Sequence, residues 1–311
     1  MVRRLAVLVP TLVIVSILIF SLQKLLPGDA ATALAGEEGD SAVVAAIRAK
    51  YHLDQPLAVQ YGLWIGKVLR GDFGDSLRSR IPVAELIMSK LPVTLELATC
   101  SMLIALAIGV PAGVLSATRQ GRALDMVANF VALSGLSVPH FWLGIMLILL
   151  FAVQLGWLPA SGYVSPWDDL RRNLTTILLP SIVLGTGVAG VMMRHARSAM
   201  LQTLNADYVR TARAKSVPER LVVLKHALRN ALIPVITLGA IEFGRLLSGA
   251  VLTEQIFAIP GFGKLLVDGV FNRDYAVVQA VVLVSAVCYL LLNLLADILY
   301  FVADPRLRTE S

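Results

Sequence analysis

Charged residues and cysteines are scarce in this sequence, and each shortage excludes a class of protein. Only 15% of the 311 residues are Asp, Glu, Lys or Arg, whereas 57% are hydrophobic. In soluble domains about a quarter of the residues are charged, so this composition indicates a membrane protein. The only two cysteines, Cys100 and Cys288, both lie in apolar runs, which leaves neither a disulfide framework nor a cysteine-based zinc site.

Motifs for catalysis and for nucleotide binding are missing as well. No Gly-x-x-x-x-Gly-Lys-Ser/Thr sequence is present, so the chain lacks the phosphate-binding loop that this motif forms around ATP. No HExxH motif, Ser/His/Asp set or helix-borne carboxylate pair stands out, and the four histidines are scattered. We therefore expect this chain not to be an enzyme and to hold no metal and no cofactor. Its energy must come from a partner or from an ion gradient.

Long apolar runs predict an all-α, polytopic membrane protein with six transmembrane helices. A helix needs about 20 mostly apolar residues to cross a bilayer, and these runs lack the alternation of barrel strands. The six predicted spans are residues 5–26, 94–117, a segment within 126–155, 174–193, 231–252 and 276–303. In the third, Pro139 removes a backbone donor, so we expect 124–136 to be an interfacial or tilted lead-in and 140–155 the main span. The first run is longer than a signal-peptide core, which favours retention over cleavage.

The positions of Lys and Arg predict the orientation. Eight lie between the fourth and fifth spans, and two each lie before the first, after the second and after the sixth. Because such residues concentrate on the cytoplasmic side, we expect both termini to be cytoplasmic. The basic excess then reflects topology, and we expect no nucleic-acid partner. The prediction is one transmembrane domain, 1–311, with an extracytoplasmic helical insertion at 27–91 and a cytoplasmic loop at 194–230.

The cytoplasmic loop predicts two short helices joined at a sharp corner. Over residues 205–215, the side chains of Tyr208, Thr211, Ala212 and Lys215 recur at three- and four-residue spacing on one face. Ser216-Val217-Pro218-Glu219 then has the pattern of a capping box with proline in the first turn. The second helix is expected to end before Pro234.

These residues also resemble a known family. Residues 207–215 followed by 226–234 resemble the cytoplasmic "EAA" loop of binding-protein-dependent ABC importer permeases, in the dipeptide, oligopeptide, glutathione and nickel branch. Leu26-Pro27-Gly28-Asp29, Gly71-Asp72-Phe73-Gly74 and Ile256-Phe257 with Pro260-Gly261 fit in the same order along the chain. The chain departs from the general motif in two places, since Arg210-Thr211-Ala212 stands for Glu-Ala-Ala and Ser216 stands for the turn glycine. If that corner requires a positive φ, serine costs about 1 kcal/mol relative to glycine.

The resemblance implies a coupling helix that docks in a groove on a cytoplasmic ATPase. The docking residues carried over by position are Asp207, Tyr208, Thr211, Ala212, Lys215, Ser216, Glu219 and Arg220. The implied partners are a second homologous permease subunit that completes a heterodimeric pore, two cytoplasmic ABC ATPase subunits that bind ATP and Mg, and an extracytoplasmic solute-binding protein. The implied location is the bacterial inner membrane. As an alternative, the basic loop only contacts the anionic headgroups of membrane lipids.

The same resemblance implies the solute class. Di- and oligopeptides come first, and nickel or a metal chelate is the alternative within the family. Two other classes stay open, namely a gradient-driven secondary transporter and an intramembrane enzyme.

Two charged residues of the fifth span are candidates for lining the pore. Glu242 and Arg245 are three residues apart, so they share a helix face and can pair. Each costs about 2.5–3.5 kcal/mol if unpaired near mid-membrane, so they should face the bundle or water. We expect them either to contact a zwitterionic or peptide-like solute or to form a neutralised pair that joins the helix to a neighbour.

Overall fold

The computed structural model describes residues 2–25, 40–50 and 54–303, and their regular structure is helical apart from one isolated bridge, Asp75 with Pro82. The helices are α1 (Val2–Leu25), α2 (Ser41–Lys50), α3 (Leu57–Val68), α4 (Val83–Thr118), α5 (Ala123–Ser137), α6 (His140–Leu147), α7 (Leu170–Leu204), α8 (Asp207–Ala214), α9 (Glu219–Leu221), α10 (Leu228–Gly249), α11 (Val251–Ile256), α12 (Phe262–Phe271) and α13 (Tyr275–Ala303). Two π-helical segments occur, Ile148–Gln154 after α6 and Val222–Ala227 between α9 and α10. The predicted all-α class is confirmed. The motif at 26–29, the insertion at 27–39 and 51–53, and the basic pair at 306 and 308 lie outside the described residues.

The described helices account for most of the predicted spans. Four are long and apolar enough to cross a bilayer: Val83–Thr118, Leu170–Leu204, the continuous stretch Glu219–Ser248, and Tyr275–Ala296. α5 and the helix His140–Gln154 qualify only as a pair, and α1 contributes a shorter apolar stretch, Leu8–Ser21. The helical membrane bundle is confirmed. The count of six spans and the cytoplasmic termini stay predictions.

The third predicted span is bent sharply at Pro139. The axes of α5 and of the helix His140–Gln154 differ by 98°. Val138 has extended backbone angles, the conformation that a following proline favours. The expected break before His140 is confirmed, and the lead-in proves to be a complete helix of 15 residues.

The chain divides into two compact units, one formed by residues 1–91 with 265–287 and the other by 92–264 with 288–311. In the first unit, the Ser76 hydroxyl donates to the Asp274 carboxylate over 2.6 Å, and the Arg78 guanidinium donates to Asn272 over 2.6 Å. These contacts join segments almost 200 residues apart, so the first unit combines the N-terminal residues with a segment from late in the chain.

The second unit is built around α7. Its buried residues, among them Val183, Met192 and Ala196, pack in one core with residues of α4 and α10. Gly113 of α4 lies so close to α7 that an added Cβ would come 2.6 Å from the carbonyl oxygen of Met193. Small residues permit such backbone approach between membrane helices, and they fix α4 against the helix that leads into α8.

Candidate functional site

The predicted loop at 194–230 is mostly helical. α7 continues to Leu204, α8 begins at Asp207, and α9 begins at Glu219. The expected first helix at 205–215 is confirmed with slightly shorter bounds. We call residues 207–220 the α8–α9 corner, because it contains α8, the turn after it and the start of α9.

One face of α8 is buried beneath the corner. Val209 is fully buried and Ala212 is only 8% exposed, and both pack with Val217 and Val222. Ala212, which the spacing grouped with Tyr208, Thr211 and Lys215, is therefore buried, whereas those three residues are exposed. Val209 is the only large aliphatic residue of α8, so it must face inward, and Ala212 lies three residues further on the same side.

The turn between the helices is a Schellman motif centred on Ser216. This residue has a φ of 59°, its N–H donates to the Arg213 carbonyl, and the Val217 N–H donates to the Ala212 carbonyl. That is the bonding pattern of the motif, including its apolar contact between Val217 and Ala212. The positive φ, which the sequence left conditional, is observed. Serine there costs about 1 kcal/mol relative to glycine.

The expected capping box is wrong. Ser216 has left-handed backbone angles, Pro218 occupies the N-cap position, and no side chain caps α9. The Glu219 carboxylate instead accepts two hydrogen bonds from the Arg213 guanidinium, at 2.7 and 3.2 Å. Hydrogen bonding to this carboxylate raises the pKa of Arg213 above its ordinary value, so the corner is held by an ion pair across the turn.

A second contact attaches the other end of α8. The Asn230 side-chain amide donates to the Tyr208 hydroxyl over 2.7 Å, and this hydroxyl lies 3.4 Å from the His226 carbonyl oxygen. Hydrogen bonds therefore connect both ends of α8 to the helical stretch that follows the turn, through Tyr208 at one end and Arg213 at the other. Together with the buried Val209 and Ala212, they fix the orientation of α8.

The outer face of the corner is charged. Seven of the eight predicted docking residues are exposed in the structure, and Ala212 is the exception. The seven are Asp207, Tyr208, Thr211, Lys215, Ser216, Glu219 and Arg220. This surface carries charges of both signs and therefore has the residues to bind a complementary groove.

The helix after the corner continues through Pro234, so the prediction that it ends before this residue is wrong. α9, the π-helical segment and α10 form one continuous stretch from Glu219 to Gly249. Pro234 removes one backbone hydrogen bond, but its neighbours Ala231 and Val235 are buried among residues of α7 and hold the helix on both sides. The corner is therefore rooted directly in a predicted transmembrane helix.

The charged pair of α10 forms as predicted. Arg245 Nη1 donates to Glu242 Oε1 over 2.7 Å. The two side chains differ in exposure, since that of Glu242 is 7% exposed and that of Arg245 is 64% exposed. Their role in lining a pore stays a prediction.

A buried carboxylate at Glu254 was missed by the sequence analysis. It is fully buried and accepts from the Thr94 hydroxyl over 2.5 Å and from the Lys264 N–H over 2.7 Å. The Thr94 hydroxyl oxygen in turn accepts from the Phe262 N–H over 2.7 Å. Burial raises the pKa of Glu254, and these hydrogen bonds act in the opposite direction. The sequence signal that could have indicated this site is the pair of glycines at 261 and 263, because the absence of their side chains leaves space for the carboxylate.

A second charged cluster was missed near the bend of the chain at 119–122. The buried Asp125 carboxylate accepts from Arg197 Nε at 2.7 Å and Nη2 at 2.8 Å. It also accepts from the Ser116 hydroxyl and, over 2.9 Å, from the Gly121 N–H. The cluster joins the ends of α4 and α5 to α7 ahead of the α8–α9 corner.

Sequence comparisons agree with this architecture. Residues 109–309 match the family described as binding-protein-dependent transport system inner membrane component, and residues 1–98 match the N-terminal part of such membrane components. The glutathione transport system permease protein GsiC of Salmonella typhimurium is 46% identical over 306 residues, covering 98% of this chain and 97% of the relative. GsiC of Escherichia coli K12 is 45% identical over 307 residues, covering 99% and 98%.

Solved structures share the fold. An inward-facing MetNI methionine ABC transporter gives a TM-score of 0.59 at 19% identity, over 70% of this chain and 96% of that one. An amino acid ABC transporter with histidines gives 0.54 at 14% identity, over 70% and 93%. At such identities the likeness establishes the fold alone.

Proposed function

Because the chain belongs to the family of binding-protein-dependent transport system inner membrane components, we propose that it conducts small peptides, including glutathione-like ones, into the cell. As a member of the peptide and glutathione branch, it is a multi-pass permease subunit of an ABC importer in the inner membrane. The two GsiC relatives are named as glutathione permeases, and glutathione is itself a tripeptide. The motif resemblance and the names of these relatives therefore both favour a peptide-like solute.

The proposed coupling surface is the exposed face of the α8–α9 corner. The observation that carries this proposal is that α8 is fixed near both ends, by Tyr208 with Asn230 and by Arg213 with Glu219, to one continuous helix. A push on α8 from an ATPase subunit would then displace α10 without first bending a loop. Lys215 and Thr211 lie on the exposed face, where they would contact the ATPase groove.

The remaining partners follow from the family. ATPase and solute-binding subunits are general to such importers, and we propose that a second homologous permease completes the pore. Closure of the ATPases on ATP would move the coupling surfaces, and rigid displacement of the helices would switch the open side of the pore. In this mechanism the chain conducts the solute, while the partner subunits hydrolyse ATP.

Uptake into proteoliposomes tests the proposal. The complete complex with its binding protein should accumulate a labelled tripeptide only when ATP is present on the ATPase side, and a protonophore should leave the rate unchanged. A complex with hydrolysis-deficient ATPase subunits is the matched control and should show background uptake. Uptake that persists without ATP and stops with a protonophore would instead establish gradient-driven transport. Accumulation of a nickel chelate but of neither peptide nor glutathione would contradict the solute class.

A further inference from the structure

We propose that Arg245, oriented by Glu242, binds the carboxylate group of the solute during its passage. This inference rests on the proposed function and names the chemical group recognised inside the membrane. The proposed site recognises only a carboxylate and not a zwitterion, because only Arg245 of the pair is accessible to a solute.

The exposure of the pair carries the argument. The Glu242 side chain is 7% exposed, whereas that of Arg245 is 64% exposed. Glu242 lies seven residues after Val235 and four before Leu246, which are both buried core residues of α10, so it occupies a core position. A passing solute therefore meets the guanidinium, and an ammonium group has no comparable access to the carboxylate.

The guanidinium retains capacity to bind. It has five N–H donors in a planar arrangement, and within the described part of the chain its one identified acceptor is Glu242 Oε1, at 2.7 Å from Nη1. That bond restrains the orientation of the group at one nitrogen. The other nitrogens remain able to form the paired hydrogen bonds by which arginine holds a carboxylate.

The surroundings strengthen such a contact. Arg245 lies in a predicted transmembrane helix, about 4.5 Å along the helix axis from Glu242. On the same face of α10, Ile241 one turn before Arg245 is half-buried and Ser248 one turn after it is exposed. Arginine persists in a membrane helix where it faces water or an anion. Glu242 is one such anion, and the carboxylate of a solute that crosses at this depth would be a second.

The glycine at 239 adds room beside the pair. An added Cβ at Gly239, one helical turn before Glu242, would have no atom within 4 Å. Open space therefore lies along α10 next to a buried carboxylate and its exposed partner. A neutralised pair that only joined helices together would be expected to have packed side chains at this position.

Uptake of two solutes by the complete transporter tests the inference. One solute is a tripeptide with a free C-terminal carboxylate, and the other is the same peptide with a C-terminal amide. Arg245→Gln should lower uptake of the carboxylate peptide at least about tenfold, because a charged hydrogen bond is lost, and should change uptake of the amide less than about twofold. For each solute, the uptake rate of the variant is divided by that of the wild type. Because both transporters use the same binding protein, its preference between the two solutes cancels in this ratio. Arg245→Lys should restore part of the lost uptake.

Two further measurements separate the outcomes. Arg194→Gln makes the same change at an exposed arginine of α7 and should leave both ratios near one. A thermal shift of the purified complex with each peptide gives a readout that does not depend on transport, and Arg245→Gln should lose the shift produced by the carboxylate form only. Equal losses for both peptides, or unchanged uptake with a lower unfolding temperature, would show that the pair joins helices or subunits. If the wild-type complex carries neither peptide, the proposed function fails, and the thermal shift still decides the role of Arg245.

Discussion

Replacing Gly261 with alanine should strongly destabilise the fold. A Cβ at this position would overlap the carboxyl group of Glu254. That carboxylate cannot retreat, because it is fully buried and bonded to the Thr94 hydroxyl and the Lys264 N–H. Losing two hydrogen bonds to a buried carboxyl group is expected to lower the free energy of unfolding by about 3 kcal/mol or more. The thermal unfolding temperature of the purified subunit and its yield in detergent measure the effect.

The matched control is Gly66→Ala in α3. A Cβ at Gly66 would have no atom within 4 Å, so the same change should leave the unfolding temperature unchanged or slightly higher, since alanine favours helix by up to about 1 kcal/mol. If Gly261→Ala unfolds at the wild-type temperature, the contact between the Pro260-Gly261 turn and Glu254 does not stabilise the fold.

Replacing Asp125 with alanine should be nearly as damaging, for a different reason. The Arg197 guanidinium donates two hydrogen bonds to Asp125 and would lose its carboxylate partner. The Gly121 N–H would lose its acceptor as well. Breaking a buried ion pair by removing one partner costs about 3–5 kcal/mol, because the other charge stays buried and unpaired. Since Arg197 is partly exposed, we expect the lower end of that range. Chemical unfolding of the subunit in detergent measures it.

The double variant Asp125→Ala with Arg197→Ala distinguishes the mechanism. Removing both charges should destabilise the protein by less than the sum of the two single variants, because no isolated charge remains. Glu85→Ala changes an exposed carboxylate in the first turn of α4 and should alter stability by no more than about 0.5 kcal/mol. Additive losses in the double variant would show that Asp125 and Arg197 act independently.

The sequence predicted the elements of the fold well because long apolar runs report directly on membrane helices. The break at Pro139 was expected because the residue before a proline favours extended angles, but Pro180 and Pro234 lie inside continuous helices. The orientation of α8 was less accessible. Tyr208, Thr211, Ala212 and Lys215 fit one face by spacing, but the burial of Val209 decides which side turns inward. That choice depends on Val222, which lies on another helix.

The bonds that hold the candidate site were beyond the sequence for two physical reasons. The Glu219 side chain had two possible partners, a backbone N–H in a capping box or the Arg213 guanidinium, and local pattern favoured the wrong one. The buried carboxylates find partners far along the chain, since Thr94 and Glu254 are 160 residues apart and Asp125 and Arg197 are 72 apart. Such pairs are fixed only when the helices pack.

Disulfide crosslinking at position 215 tests most directly whether the α8–α9 corner binds an ATPase subunit. With Cys100 and Cys288 replaced by serine, a cysteine at Lys215 should form a crosslink with a cysteine placed in the groove of the ATPase subunit, and uptake should stop until a reductant is added. A cysteine at the highly exposed Trp167 is the control and should capture no ATPase subunit. If Lys215→Cys forms no crosslink with that subunit in a complex that hydrolyses ATP and transports the solute, the α8–α9 corner is not the contact site of the ATPase.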